Sequence, residues 1–312
     1  MALIDIIIPN WNGKQFLGIC LESLQKQAFQ DFETFVVDNG STDGSVEFVR
    51  SKFPEVKVIS LTENRGFAGG VNVGIRVTKG ELVFLLNNDA FLEVNCLQEL
   101  RKASKELPNV GFFATKMLFS EHRDVINAAG DSFGTDGRAR NVGFGEPDQD
   151  QYNHATEVFG ACAGAALYRR SLFENIGLFD EDFFLILEDV DLDFRAQLAG
   201  YRCYYIPTAI VYHKHSASIG RYSAFSVYHT SRNSLYVLLK NMPSLLLVKY
   251  LWKLYLGRQR LATDYIIHRQ LRAYLTGEFR FFLTLIKMTQ RRFVIQSQRR
   301  VSTNHINSIL GS

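Results

Sequence analysis

Short apolar runs alternate with helical patterns over the first 120 residues, and this alternation limits the folds open to the chain. The apolar runs read as buried strands, at residues 4–8, 35–37, 56–61 and 82–86. Helical patterns lie between them: the spacing of Phe16, Cys20, Leu21 and Leu24, then residues 44–52, then residues 68–78. Strands that alternate with helices form βαβ units with right-handed crossovers. We therefore predict an α/β fold with a largely parallel central sheet.

Asn87-Asn88-Asp89 stands where the apolar run 82–86 ends. A buried strand that stops at an aspartate places a carboxylate at the carboxyl edge of the sheet, where ligands bind in open α/β folds. A hundred residues later, Glu-Asp-Val-Asp-Leu-Asp at 188–193 forms a second acidic cluster, and His213 follows it. Sugar transfer from a charged nucleotide donor needs one carboxylate to hold a metal and another to act as a base. The order of these features favours that chemistry.

Polar loops follow the first two predicted strands. Pro9-Asn10-Trp11 comes after the first, and residues 38–45 begin with Asp38 after the second. Asp38 could accept a hydrogen bond from the imide N–H of uracil or thymine, and Trp11 could stack on that ring. Asp43 is better explained as the cap of the next helix. These loops predict a nucleotide site.

A third loop, Asn64-Arg65-Gly66, also leads into a helix. Glycine lets the backbone approach a ligand, Arg65 could meet a phosphate, and a helix N-terminus favours anions. As a phosphate motif the loop is weak, because it has neither a P-loop lysine nor a full dinucleotide fingerprint.

The succession of motifs resembles the inverting glycosyltransferases of family 2, and among them the rhamnosyltransferase-like branch of bacterial surface polysaccharide synthesis. The resemblance covers residues 3–220. It is carried by Pro9-Asn10-Trp11-Asn12, residues 38–45, Asn64-Arg65-Gly66-Phe67, Asn87-Asn88-Asp89 and Glu188-Asp189-Val190-Asp191-Leu192.

The resemblance implies a GT-A fold, a UDP- or dTDP-linked sugar donor and a divalent cation, Mg²⁺ or Mn²⁺. It implies that Asp38 contacts the base, Trp11 stacks on it, and Asp89 binds the metal. His213 matches a histidine that completes the metal site in related enzymes, and His215 competes for that role. The full set expected to bind the donor is Pro9, Asn10, Trp11, Asp38, Asn64, Arg65, Gly66 and Asn88.

One position departs from the family pattern. The metal motif is often Asp-x-Asp, but here its first position is Asn87, so one carboxylate remains. An amide oxygen can bind a hard cation but is a poor replacement for a charged ligand. The donor diphosphate would then supply much of the coordination.

Asp189 is expected to be the general base, with Glu188 beside it and Asp191 as the fallback base. Acidic residues are favoured at a helix N-terminus, so part of the 188–193 cluster is capping. Four carboxylates within six positions exceed that need, and their crowding should raise proton affinities, which suits a base. Before them, the small residues of a predicted strand at 159–168 either leave room for a sugar or only permit close packing.

The last seventy residues differ in charge. Residues 241–312 carry twelve Lys and Arg against Asp264 and Glu278, a balance of +10; the whole chain is +3, so the first 240 residues are at −7. Residues 245–256 and 279–287 mix apolar and basic residues at helical spacing, without the roughly 18 apolar residues of a membrane span. Basic amphipathic helices at an anionic membrane surface fit this pattern. The expected anchors are Tyr250, Trp252, Tyr255, Phe281 and Phe282; the alternative is a bundle that packs on the body or forms a homodimer.

We therefore expect a GT-A domain at 1–225 and a helical region at 226–312. Four dispersed cysteines and an N-terminus without a signal peptide favour a reduced, cytoplasmic protein, bound peripherally to the inner face of the cytoplasmic membrane. The expected acceptor is a saccharide or a lipid-linked saccharide, with rhamnose as the candidate sugar and no nucleic acid involved. A catalytically silent nucleotide-sugar-binding or scaffolding protein is the alternative. A nucleotidyltransferase is disfavoured because no glycine-rich, lysine-bearing N-terminal loop is present, and a processive synthase because Gln-x-x-Arg-Trp is absent.

Overall fold

The fold begins with the predicted alternation of strands and helices. The computed structural model describes residues 2–214, 220 and 222–311. Four strands form parallel pairs in the order β3-β2-β1-β4. The elements of this part are β1 (Ile4–Asn10), α1 (Lys14–Gln25), β2 (Phe32–Asp38), α2 (Ser45–Lys52), β3 (Lys57–Ser60), α3 (Gly66–Val77) and β4 (Leu82–Leu86). The sequence pattern therefore predicted every element from β1 to β4, and the bounds of β4 are those predicted.

The sheet continues beyond β4 with strands of both directions. The following elements are β5 (Ala90–Leu92), α4 (Cys96–Glu106), β6 (Phe112–Phe119), β7 (Ile126–Ala129), β8 (Asp131–Phe133), β9 (Ala139–Asn141), β10 (Thr156–Val158), β11 (Ala165–Arg169), α5 (Arg170–Ile176), α6 (Glu188–Leu198) and β12 (Cys203–His213). In the described residues, ten strands form one sheet, and β8 pairs with β9 separately. β6 and β12 run parallel to each other and in the direction of β1–β4, while β5, β7, β10 and β11 run against them. The sheet is mostly parallel, as predicted.

Alternating side chains of each strand fill two cores, one on each face of the sheet. In β4, Leu82, Phe84 and Leu86 lie in one core, and Val83 and Leu85 lie in the other. Because successive strand residues point to opposite faces, a strand covered on both faces is apolar throughout. This is why residues 82–86 read as an uninterrupted apolar run.

The C-terminal region is helical, as predicted, and it packs on the sheet domain. Its helices are α7 (Ala224–Asn241), α8 (Ser244–Lys249), α9 (Leu251–Ile267), α10 (Leu271–Ser297) and α11 (Thr303–Ile309). A third core joins this region to the body, with Phe183 and Phe194 on one side and Tyr236 and Phe281 on the other. α7 is therefore an internal element of the molecule.

The outer faces of α9 and α10 remain apolar and exposed. Trp252 and Phe282 are exposed, and Ile286 is 76% exposed. Two expected anchors are placed differently: Phe281 is buried against Tyr236, and the Tyr250 hydroxyl donates to Asn307 Oδ1 at 2.7 Å. Phe281 is hidden because it lies on the side of α10 that faces α7. Over the described part of the chain, no helix is long and apolar enough to cross a membrane.

Candidate active site

The ends of β1, β2 and β4 meet at one edge of the sheet, and three polar side chains link them. Asn10 Nδ2 donates to Asp38 Oδ1 at 3.0 Å, and Asn88 Nδ2 donates to Asn10 Oδ1 at 2.7 Å. The second oxygen of Asp38 accepts from the Ser41 backbone N–H at 2.9 Å. Asn10 and Asp38 are buried. Each carboxylate oxygen can accept two hydrogen bonds, so Asp38 retains capacity for a further donor.

Trp11 and the loop before α3 border this network. Trp11, next to Pro9, is 51% exposed and offers an open ring face. Gly66 has a φ of +70° and opens α3, and its N–H donates to Asn64 Oδ1 at 2.8 Å. Arg65 is exposed beside the first turn of the helix. The loop therefore combines a helix N-terminus with a guanidinium, which suits an anion.

Antiparallel pairing of β5 with β12 brings Asp89 and His213 together. His213 pairs with Ala90, the residue after Asp89, and the Lys214 N–H donates to the Asp89 carbonyl at 3.1 Å. His213 Nε2 lies 3.2 Å from Asp89 Oδ1 and 3.2 Å from Asn87 Nδ2. The side chains of His213 and Asp89 are each 8% exposed.

Asn127, on β7, orients the imidazole. Its Oδ1 lies 3.1 Å from His213 Nδ1, and because an amide oxygen can only accept, this hydrogen bond is donated by the Nδ1–H group. His213 Nε2 lies 3.2 Å from both the Asn87 amide nitrogen, a donor, and Asp89 Oδ1, an acceptor. A carboxylate oxygen and an imidazole nitrogen thus lie next to each other. No local pattern in the sequence marks Asn127, because it lies 86 residues before its histidine.

The donor set fits a divalent cation that takes its remaining ligands from a substrate. A carboxylate oxygen and an imidazole nitrogen combined with phosphate oxygens suit Mn²⁺, whereas Mg²⁺ would rely on the oxygen ligands. Among the described residues, no three His, Cys, Asp or Glu side chains gather into a complete metal site. His215, the alternative ligand, lies outside the described residues.

Asp189 is the carboxylate of the acidic cluster that remains partly exposed. Its two oxygens accept from the N–H groups of Ala163, at 3.3 Å, and Val190, at 2.8 Å. Burial raises the pKa of the Asp189 carboxyl above its ordinary value. Glu188 beside it is buried, its Oε2 has no hydrogen-bond partner in the described structure, and burial together with the charge of Asp189 raises its pKa.

Asp191, the expected fallback base, is bound within the protein. It is fully buried and accepts from Lys240 at 2.7 Å, Arg195 at 2.9 Å and the Asn241 amide at 2.8 Å. Burial opposes ionisation here, but the charges of Lys240 and Arg195 hold the pKa of Asp191 below its ordinary value. Such a carboxylate is neither accessible to an acceptor nor basic enough to take its proton, so its role is to join α6 to α7.

Two further buried carboxyl groups interact with Asp189: Asp193, the last member of the predicted acidic cluster, and Asp131, which the sequence did not single out. Burial and then the charge of Asp189 raise the pKa of Asp131, on β8. Burial and the charges of Asp131 and Asp189 raise that of Asp193. Asp193 Oδ2 accepts from the Ala161 N–H at 3.0 Å. The sequence does not indicate that Asp131 is near the acidic cluster, because it lies 57 residues before that cluster.

The small residues before β11 connect the two carboxylate sites. The predicted strand 159–168 is shorter than expected, because Gly160 makes only an isolated bridge with Asp131, residues 163–164 form a turn, and β11 begins at Ala165. The Asn87 N–H donates to the Gly164 carbonyl at 2.8 Å, and Ala163 donates to Asp189. A Cβ at Gly160 would lie 2.0 Å from Asp193 Oδ2, so the absence of a side chain there permits close packing. This turn brings Asp189 to the edge of the sheet that carries Asp89.

Comparison with protein families places residues 5–177 within the model described as glycosyl transferase family 2. A *Mycobacterium tuberculosis* N-acetylglucosaminyl-diphospho-decaprenol L-rhamnosyltransferase is 27% identical over 245 residues, or 70% of this chain and 78% of the relative. The *Streptococcus pneumoniae* glycosyltransferase GlyG is 32% identical over 107 residues, and the match spans 33% of this chain and 36% of GlyG. The chain thus spans only about a third of the length of GlyG.

Solved structures share the fold. *Staphylococcus aureus* TarS 1–349 in complex with UDP-GlcNAc superposes with a TM-score of 0.60 at 18% identity, covering 98% of this chain and 90% of that one. The mannosyltransferase PcManGT from *Pyrobaculum calidifontis*, in complex with GDP-Man and Mn²⁺, superposes with a TM-score of 0.55 at 18% identity, covering 95% and 86%. The expected GT-A fold is confirmed by these likenesses.

Proposed function

The chain belongs to glycosyltransferase family 2, and on that premise we propose that it transfers a hexosyl unit, with inversion, from a UDP- or dTDP-linked donor. The acceptor would be a hydroxyl of a saccharide or lipid-linked saccharide in cell-surface polysaccharide synthesis. The observation that carries the proposal is the turn at 163–164, which hydrogen-bonds to Asn87, two residues before Asp89, and to Asp189. This turn links the carboxylate that would bind the metal, Asp89, to the one that would act as the base, Asp189.

The donor would occupy the loops after β1, β2 and β3. Asp38 would accept the imide N–H of the base, held in place by Asn10, which Asn88 fixes in turn. Trp11 would stack on the base through its exposed face. Asn64, Arg65 and Gly66 would lie along the phosphates at the start of α3. The contact of Asn10 with Asp38 supports this arrangement, because it fixes the carboxylate before the nucleotide arrives.

Asp89 and His213 would hold a divalent cation, Mg²⁺ or Mn²⁺, against the two phosphates. When bound, the cation supplies a Lewis acid that offsets the negative charge on the departing nucleoside diphosphate. Asn127 accepts a hydrogen bond from His213 Nδ1, which leaves Nε2 on the side of Asp89. A cation bound at Nε2 would displace the Asn87 amide, which lies 3.2 Å from that nitrogen.

Asp189 would take the proton of the acceptor hydroxyl. As the acceptor oxygen forms its bond to the anomeric carbon, the bond from that carbon to the phosphate oxygen breaks on the opposite face, and its electron pair leaves with the diphosphate. The configuration at the anomeric carbon is thereby inverted. A pKa raised by burial makes Asp189 a stronger base than an exposed aspartate.

The named relatives support the choice of sugar and acceptor. The mycobacterial relative is named as a rhamnosyltransferase acting on a diphospho-decaprenol-linked N-acetylglucosamine. Rhamnose is therefore the first candidate sugar for this chain, and a lipid-linked saccharide the first candidate acceptor.

The proposal is tested by screening nucleotide-sugars by thermal shift with Mn²⁺ or Mg²⁺, followed by a transfer assay. dTDP-rhamnose, UDP-glucose and UDP-N-acetylglucosamine are the first probes. A ligand at about 100 times its dissociation constant stabilises the protein by roughly 2.7 kcal/mol. Binding with neither transfer nor donor hydrolysis would favour the silent binding protein, and no binding of any nucleotide-sugar would contradict both.

We also propose that α9 and α10 dock the protein on an anionic membrane surface, where a lipid-linked acceptor presents its sugar. The exposed apolar side chains Trp252, Tyr255, Phe282 and Ile286 and the +10 balance of residues 241–312 support this site. Exposed apolar and basic groups together match the apolar and anionic layers of such a surface. Association of two chains through the same faces is the competing outcome.

A further inference from the structure

The segment before Asp189 has an unusual backbone. Phe184, Ile186 and Leu187 have φ values of 65°, 70° and 67°, in the left-handed region that disfavours residues other than glycine. Ile186 is β-branched, which makes this conformation still less favourable for it. The next two residues are Glu188 and Asp189, at the start of α6. Such a backbone persists only where the surrounding structure holds it.

Asn233, in the middle of α7, supplies three of the contacts that hold this segment. Its Nδ2 donates to the carbonyls of Phe183 at 3.1 Å, Leu185 at 2.9 Å and Ile186 at 2.7 Å. A side-chain amide nitrogen carries two hydrogens and here has three carbonyl acceptors, so one hydrogen is shared between two carbonyls. Asn233 is fully buried, so no water replaces its hydrogen bonds.

Arg232 adds two more hydrogen bonds to the same stretch. Its Nη2 donates to the carbonyls of Asp182 and Phe183, both at 3.0 Å, and its Nε donates to Asn233 Oδ1 at 2.9 Å. The guanidinium lies 5.2 Å from the ring centres of both Tyr228 and Tyr236. These contacts fix Arg232 and, through Oδ1, the orientation of the Asn233 amide.

The other side of the segment touches the loop expected to bind phosphate. The Phe184 carbonyl accepts from the Ala68 N–H of α3 at 3.3 Å. A Cβ at Gly66 would lie 2.2 Å from the same carbonyl oxygen, so only glycine allows this approach. Residues 182–187 therefore lie between the start of α3 and α7.

We propose that Arg232 and Asn233 are positioning residues for Asp189: they hold the carbonyls of 182–186 so that the left-handed turn presents Asp189 toward the acceptor, an inference that rests on the proposed function. Neither residue is expected to touch substrate. Without their N–H groups the buried carbonyls lose their donors, and the turn relaxes toward a more favourable backbone. Asp189 then leaves its place while the donor loops after β1 and β2 keep theirs.

Hydrogen exchange on the full chain gives a test that does not depend on turnover. In Asn233→Ala, amides of 184–189 should exchange at least about tenfold faster than in the wild type, because the local opening of this segment becomes easier. Ser231→Ala is the matched control: Ser231 is equally buried on α7, but its hydroxyl donates to Tyr228 and Tyr274. Its exchange over 184–189 should equal that of the wild type. Unchanged exchange in Asn233→Ala would overturn the proposal.

Kinetics then separate positioning from general damage. With the nucleotide-sugar that the wild type turns over, Asn233→Ala should lower kcat about 10²-fold, the scale of a 1 Å misplacement, and leave UDP binding with Mn²⁺ nearly unchanged. Arg232→Lys keeps the charge but lacks the separate Nε–H that donates to Asn233 Oδ1 while Nη2 donates to the two carbonyls, so its kcat should lie between those of Asn233→Ala and the wild type. A wild-type kcat in Asn233→Ala, or an equal loss of UDP affinity, would contradict a positioning role.

Two further outcomes remain distinct. If Asn233→Ala does not fold, as seen from exchange throughout β1 and β4, Arg232→Lys takes its place in both measurements. If the wild type turns over none of the nucleotide-sugars tested, the proposed function fails, while the exchange comparison still decides whether Arg232 and Asn233 hold the segment.

Discussion

At the scale of single residues, the acidic cluster divides into groups with different roles. Asp191 is neutralised by Lys240 and Arg195, Glu188 is buried, and Asp189 is the member with an exposed edge and a raised pKa. The sequence predicted a cluster with excess carboxylates. It named Asp189 as the base and Asp191 as the fallback, but it did not show that Asp191 is paired, because the cations that neutralise Asp191 depend on which face of α6 meets α7.

Asp189→Asn should lower transfer by about 10² to 10⁴-fold and leave UDP binding intact, because the amide cannot accept the acceptor's proton. In the wild type the base must be ionised. Its pKa is raised, so kcat/KM should fall with decreasing pH at a midpoint above the usual value of about 4 for aspartate. A pH series of initial rates measures this decrease in kcat/KM. Asp264→Asn, an exposed carboxylate on α9, is the control; turnover near the wild-type rate in Asp189→Asn would remove the assignment.

Asp89→Ala should abolish the dependence of UDP binding on Mn²⁺, since it removes the only charged ligand expected for the cation. His213→Ala should weaken that dependence, because a neutral ligand is lost and Asp89 remains. Calorimetry with UDP, with and without Mn²⁺, measures both effects. His268→Ala, at the residue that follows α9, serves as the control. Equal UDP affinity of the wild type in Mn²⁺ and in excess chelator would argue against a metal at this site.

At the scale of elements, α7 packs against α6, the helix that carries the acidic cluster. Lys240, near its end, is buried and contacts Asp180 at 2.5 Å and Asp191 at 2.7 Å. The sequence placed this helix in a separate C-terminal region, because helical periodicity shows which residues share a face and does not show what that face meets. The contacts between α7 and the 180–191 segment join residues 47 to 60 positions apart, and no local pattern encodes them.

Lys240→Met should lower the free energy of unfolding by about 3 kcal/mol, because two buried carboxylates lose a shared cation. The loss stays at the low end of the usual range since Arg195 and Arg291 continue to pair with them. Urea denaturation at neutral pH measures the change. Lys287→Met removes an exposed ion pair with Asp182 and should cost less than about 1 kcal/mol. Equal effects of the two substitutions would show that the buried ion pairs contribute no more to the free energy of unfolding than the exposed one.

At the scale of the whole molecule, the alternation of strands and helices predicted the parallel half of the sheet. The later strands were harder to predict, because β5, β7 and β10 are three or four residues long and pair with distant partners. The excess of basic residues after residue 240 predicted a distinct C-terminal surface. It did not reveal that the helices carrying this surface share a hydrophobic core with the sheet domain through their inner faces.

The protein should sediment with anionic vesicles at low salt and be released as salt rises, because each basic residue near the surface contributes about 1 kcal/mol and screening reduces it. Combined Trp252→Ser and Phe282→Ser should weaken binding by removing two exposed apolar groups. Val77→Ser, an exposed apolar residue on α3, is the control. Binding unchanged by the double substitution, or a protein that stays in the supernatant at low salt, would favour self-association instead, which analytical ultracentrifugation would detect.

The hydrogen bonds from Arg232 and Asn233 to residues 182–186 also restrict how such enzymes can be recombined. A chimaera that grafts the last ninety residues of one relative onto the sheet domain of another would exchange the exposed helices α9 and α10 together with α7, which holds the turn before Asp189. We expect that a crossover after Asn241 keeps α7 with the turn it holds and so preserves more of the turnover than a crossover before α7.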